Sequence, residues 1–109
     1  MIELKVKPLS VNEAFKGRRF KSDKYKSYEK HLLLILKPLK LPEAPFKIIY
    51  EFGFSSKLAD IDNPVKPFQD ILCKRYGFDD RSIIELNIKK TIVPKGKEFI
   101  KFQILTKNN

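Results

Sequence analysis

Phe46, Ile48, Tyr50, Phe52 and Phe54 alternate with Lys47, Ile49, Glu51 and Gly53, the strongest two-residue period in the chain. Side chains of a strand point to opposite faces in turn, so this pattern demands a strand with one buried, largely aromatic face. Ile49 interrupts the polar face, which predicts a central strand partly covered on both sides. The rest of the chain must then supply strand neighbours and a layer to cover the aromatics.

The neighbours are legible at both ends. Ile2, Leu4 and Val6 alternate with Glu3, Lys5 and Lys7 until Pro8 stops the run. Ile84, Leu86, Ile88 and Ile92 alternate with Glu85, Asn87 and Lys89, and Ile100, Phe102 and Ile104 alternate with Lys101 and Gln103. Pro94-Lys95-Gly96-Lys97 is the turn of a hairpin between those two runs. Thr106–Asn109 is expected to fray.

Two helices supply the cover. The first begins near Ser22–Asp23, and Tyr25, Tyr28, Leu32, Ile35 and Leu36 form its apolar stripe. The second is predicted to take Asn63 as its N-cap and Pro64 as its first helical residue. Its stripe is Val65, Phe68, Ile71, Leu72 and Arg75–Tyr76, and Gly77 ends it in the left-handed region. Pro8–Lys24 has neither helical nor strand period and is expected to be a basic connection; Pro38–Pro45 is a loop. The predicted fold is therefore α+β, a two-layer α/β sandwich of order β-α-β-α-β-β with a mixed four-stranded sheet. At 109 residues it is a single domain. Two helices are too few to cover both faces, so they share one. That leaves an open sheet face or a helix edge for a partner subunit, with Tyr25–Leu36 a further candidate surface.

Charge narrows the function. The formal net charge is +10. Lys16, Arg18, Arg19, Lys21, Lys24, Lys26 and Lys30 crowd one segment against only Asp23 and Glu29. Such a bias suits an anionic polymer, through phosphate contacts and counterion release, although a solvated lysine-rich surface has the same composition. Leu32–Leu36 is the longest apolar run, far short of a bilayer span, and Glu3, Lys5 and Lys7 are unlike a secretory signal. A lone Cys73 excludes an internal disulfide, and with a lone His31 it excludes a zinc site of Cys and His. The expected location is a reducing cytoplasm.

Against this basic background, Asp60–Asp80 holds five carboxylates: Asp60, Asp62, Asp70, Asp79 and Asp80. Asp60 and Asp62 are two apart and point the same way if the segment is extended. Asp62, Lys66 and Asp70 share a helix face. Asp80 would approach Asp60 and Asp62 if its strand lies beside the one ending at Phe54. Converging carboxylates repel, and a hard divalent cation, Mg²⁺ or Mn²⁺, relieves the repulsion with the oxygen ligands it prefers. Lys66 could then contact a scissile phosphate. The alternative is that Asp60, Asp62, Asp79 and Asp80 are turn and capping residues, and that Asp70 pairs with Lys66 or Lys74. Cys73 is expected to face the core, and His31 to be an ordinary surface or boundary residue.

Asp60-Ile61-Asp62-Asn63, Lys66, Asp70 and Asp79-Asp80 together resemble the RusA family of Holliday junction resolvases. The pattern is D-x-D-N, a lysine soon after, an Asp four further on, and paired acids after a short helix. Pro8-Leu9-Ser10-Val11-Asn12 is similar to the family's opening segment, so the resemblance extends over nearly the whole chain. It implies that Asp60, Asp62 and Asp80 bind Mg²⁺ or Mn²⁺ and that Lys66 joins them as a catalytic residue. Asp70 and Asp79 are possible additional acidic residues of the site. DNA contacts are expected from Lys16, Arg18, Arg19, Lys21, Lys57 and Lys66. Many relatives place basic residues directly before the first Asp, whereas here Leu58-Ala59 follow Lys57. The implied activity is metal-dependent resolution of four-way DNA junctions by paired nicks, carried out by a homodimer in a bacterial or phage-infected cell. Two other readings fit the residues: a non-catalytic nucleic-acid-binding module with a structural acidic loop, and a metal nuclease without junction preference.

Overall fold

The computed structural model describes residues 1–17 and 20–108; Arg18, Arg19 and Asn109 lie outside the described residues. In chain order the elements are β1 (Ile2–Leu4), α1 (Val11–Ala14), β2 (Phe15–Lys16), β3 (Phe20–Lys21), α2 (Asp23–Ile35), β4 (Phe46–Phe54), α3 (Val65–Tyr76), a 3₁₀ turn (Asp80–Ser82), β5 (Ile83–Ile92) and β6 (Phe99–Thr106). The main sheet has the order β1-β6-β4-β5, so the aromatic strand is central as expected. β4 pairs in parallel with β5 and antiparallel with β6, and β1 runs antiparallel to β6. A mixed four-stranded sheet carrying helices is the predicted α+β class.

One face of the sheet is covered. Phe46, Ile48, Tyr50 and Phe52 are buried, while Lys47, Ile49 and Glu51 between them are half-buried. Phe68 of α3 is the hub of the covered side. Its ring meets those of Tyr50, Phe52 and Phe102 edge-on, with centroids 5.9, 6.3 and 5.6 Å away. Such edge-to-face geometry sets the positive ring edge against a negative face. Tyr25, Tyr28 and Leu32 of α2 and its C-cap residue Leu36 enter the same core. Within Tyr25–Leu36 the stripe therefore belongs to the core, while Leu34 on the other side is exposed.

Helix ends follow ordinary capping chemistry. Ser22 caps α2, its hydroxyl accepting from the Tyr25 amide at 3.1 Å. At the other end of α2, Arg75 Nε donates to the Leu36 carbonyl at 3.0 Å and Tyr76 Oη to that of Lys37 at 2.8 Å. These α3 side chains thus satisfy orphan carbonyls beyond α2. Gly77 ends α3 at φ 72°, as predicted.

Four expectations need correction. The runs on either side of Pro94–Lys97 do not form a hairpin: β5 and β6 lie on opposite sides of β4, so the connection crosses the end of that strand. Pro8–Lys24 is not featureless: Ser10 and Glu13 form a capping box that starts α1, and β2 pairs with β3. The Ser10-x-x-Glu13 spacing was the legible signal. Asn63 does not cap α3. Pro64 occupies the cap position with no side-chain bond, and the helix starts at Val65, because the chain turns over Asp60–Asn63 first. Thr106 does not fray; it pairs with Phe46, and the Lys107 amide donates to the Pro45 carbonyl at 2.8 Å.

β5 is an edge strand, and its helix-side residues are poorly covered. Leu86, Ile88, Lys90 and Ile92 lie in register with Ile48, Tyr50, Phe52 and Phe54. Yet Leu86 is 39% and Ile92 44% exposed, because the helices are centred over β4 and β6. Among the described residues no helix is long and apolar enough to cross a membrane.

Candidate active site

The acidic stretch begins in a turn. The Asn63 amide donates to the Asp60 carbonyl at 3.3 Å, and the Val65 amide to that of Asp62 at 3.1 Å. A turn does not keep residues two apart on one side as an extended strand does. Asp60 accordingly lines one depression, with Lys7, Ser10, Glu13, Ser55, Asn63 and Glu98 around it. Asp62 lines another, a groove of about 380 Å³ shared with Lys66, Gln69, Asp70, Asp80 and Leu86. The expected convergence of Asp60, Asp62 and Asp80 is thus divided: Asp62 and Asp80 share a groove, whereas Asp60 opens beside it.

The strand register explains the division. β5 starts beside Phe46 and ends beside Phe54, so Asp80 enters from the end of the sheet opposite to the loop that carries Asp60. The groove between α3 and the under-covered edge strand is lined by Asp62, Asp70 and Asp80. Among the described residues, no three His, Cys, Asp or Glu side chains are grouped closely enough to hold one metal ion.

Each carboxylate has its own surroundings. Asp60 accepts from Asn63 Nδ2 at 3.3 Å, so the Asn63 side chain braces the turn instead of capping the helix. Asp70 pairs with Lys66 at 3.4 Å across one helical turn, as i,i+4 spacing allows. Both are exposed enough that water competes with the pair. Asp79 is a cap: it accepts from the Arg81 amide at 2.9 Å and from the guanidinium at 2.9 and 3.2 Å. The guanidinium hydrogen bond, joined by the backbone one, holds its carboxyl down at about 2. That is the capping role the sequence left open for this residue.

Two neighbours of the site, Tyr50 and Gln69, were missed by sequence reasoning. Tyr50 is fully buried, and its hydroxyl donates to Gln69 Oε1 at 2.9 Å. This bond occupies the carbonyl end of Gln69, and its amide nitrogen, on a groove-lining side chain, has no acceptor among the described residues. Cys73 is half-buried on the same helix. Burial pushes its thiol up to about 11, with the negative charges of Asp80, Asp70 and Asp79 adding to the effect. A thiol so raised is no nucleophile at neutral pH. Gln69 falls on the α3 face that also carries Lys66 and Asp70, a spacing signal present in the sequence.

The basic candidates differ in availability. Lys16 and Lys57 are exposed, and Lys66 faces the groove. Lys21 is partly committed, donating to Glu29 at 3.3 Å and lying over the Tyr25 ring. Glu29 also accepts from Lys74 at 3.0 Å. Partial burial raises the Glu29 carboxyl, but the bonds from Lys74 and Lys21 outweigh it and hold the group below its ordinary value. Arg18 and Arg19 lie outside the described residues. Compared with protein-family models and with curated proteins, the chain finds no match among either.

Proposed function

We propose that the chain is a metal-dependent endodeoxyribonuclease of the RusA type, which resolves four-way DNA junctions by symmetric paired nicking in recombination and repair. The observation that carries this reading is the acidic groove of Asp62, Asp70 and Asp80 with Lys66 beside them, set in a chain of net charge +10. A purely structural role for these acids would not require them to face one groove open to solvent.

The donor set suits a hard divalent cation in kind, since every candidate ligand is a carboxylate oxygen. Asp62 and Asp80 would hold Mg²⁺ or Mn²⁺, with Asp70 within the same groove and Asp60 contributing from the adjoining depression. When bound, such an ion supplies Lewis-acid polarisation of a phosphoryl oxygen and a more acidic bound water. Lys66 places its ammonium where a DNA phosphate can displace Asp70 from a weak surface pair. The Gln69 amide, oriented by buried Tyr50, offers a second donor to a non-bridging phosphate oxygen. Lys16, Arg18, Arg19, Lys21 and Lys57 would follow the flanking backbone, supplying affinity without sequence preference.

A homodimer fits the two-fold symmetry of a four-way junction, since it presents two equivalent sites. The exposed Ile84, Leu86 and Ile92 on an edge strand support a second copy as the neighbour of β5. A second reading draws on a specific observation as well. Asp79 is a cap and Asp60 braces a turn, which favours a DNA-binding module with a structural acidic loop. Incubating the protein with a synthetic junction, a fork and a linear duplex in Mg²⁺ or Mn²⁺ separates the readings. Selective junction nicking supports resolution. Equal cleavage of all three indicates a nuclease without junction preference, and metal-indifferent binding without cleavage indicates the module.

A further inference from the structure

On its helix side, β5 presents Leu86, Ile88, Lys90 and Ile92, so one ammonium interrupts an otherwise aliphatic row. Lys90 lies opposite Phe52 in the register. Its Nζ donates to the carbonyl of Lys57 at 3.0 Å and to that of Ala59. Among the described residues it forms no ion pair with a carboxylate. Both acceptors belong to the loop that runs from β4 to Asp60. Among the described residues the loop has few other ties: Leu58 is 92% exposed, the Leu58 and Ala59 amides bond back to Ser56, and Ser55 bonds Glu98. Past Asp60, the Asn63 carbonyl accepts from the Val11 amide at 2.9 Å. The acidic turn is thus tied to β5 at its entrance and to α1 at its exit.

We propose that Lys90 is a positioning residue, which fixes the backbone from which Asp60 projects by holding the carbonyls of Lys57 and Ala59. Its consequence for catalysis rests on the nuclease reading; the holding of the loop does not. Hydrogen bonds from an ionised donor are stronger than neutral ones, and one ammonium can hold two acceptors without fixing a third partner. A neutral side chain of similar length would fit the aliphatic row and release both carbonyls to water. The loop would then open locally while the sheet beneath it stays paired.

Amide hydrogen exchange on the wild type, Lys90→Met and Lys90→Arg reads the holding directly. Exchange at Ala59 and Asn63 is expected to rise about tenfold or more in Lys90→Met and to stay near wild type in Lys90→Arg, with central β4 amides unchanged. Unchanged exchange at Ala59 and Asn63 would overturn the proposal. Should Lys90→Met fail to fold, reductive methylation of the wild type decides. Lys90 is expected to react more slowly than its exposed neighbour Lys89, and equal rates would overturn the proposal. On the junction substrate, Lys90→Met is expected to raise the half-saturating metal concentration more than it lowers kcat at saturating metal. An unmoved metal requirement alongside faster loop exchange would refute the positioning role. Absence of cleavage by the wild type would instead count against the nuclease reading and leave the exchange and methylation results as the test of the loop contact.

Discussion

Cys73 stands where the core and the acidic groove meet, and its thiol records both. Burial is the larger cause of its raised pKa, and the Asp80 charge comes next. Removing that charge favours the thiolate, so Asp80→Asn is expected to lower the pKa from about 11. It should stay above the ordinary thiol range because burial is untouched. The pH dependence of iodoacetamide alkylation measures this; an unchanged profile would mean that Asp80 does not act on the helix face behind the groove. At this scale the sequence disclosed residue types but not their employment. Asp79 and Asp80 are adjacent acids, yet one is bound to Arg81 while the other lines the groove. Which of two neighbours caps a turn depends on backbone angles that spacing does not specify.

The elements were more legible. The period of Phe46–Phe54 located the central strand, and the stripes of the two long helices located their buried faces. What spacing concealed was the turn over Asp60–Asn63, because Asn-Pro announces a helix start whether or not a turn precedes it. That turn separates Asp60 from Asp62. The close fit of β4 against β6 makes a second prediction. Gly53 lies in register with Phe99, and a Cβ there would come 2.6 Å from the Phe99 ring. Gly53→Ala is therefore expected to destabilise the protein by about 1–3 kcal/mol, the usual range for overpacking. Urea unfolding measures it, and Phe99→Leu in the same chain should recover part of the loss. An unchanged midpoint would contradict the packing described for this strand pair.

Over the whole molecule, charge and geometry divide the work. The acidic groove is small, and basic residues dominate the chain. If Arg18 and Arg19 each neutralise a phosphate, replacing both with Gln should weaken junction binding. The slope of log affinity against log salt should also flatten by roughly 2. An unchanged slope would remove the segment from the interface. The two-layer architecture was readable from the count and order of periodic runs. The placement of β5 at a sheet edge was not, because strand order is a long-range property that local periodicity does not encode. That placement creates the groove.

The central claim is that this groove is a phosphodiester-cleaving site, and Asp62→Asn tests it most directly, with junction cleavage and junction binding measured on the same folded protein in Mg²⁺ and in Mn²⁺. Loss of the carboxylate removes a candidate ligand and also a charge that repels DNA phosphates. The expected result is that the wild type nicks the junction in symmetric pairs, while Asp62→Asn loses cleavage and binds the junction as tightly or more tightly. No cleavage by the wild type in either metal, or cleavage undiminished in Asp62→Asn, would contradict the account.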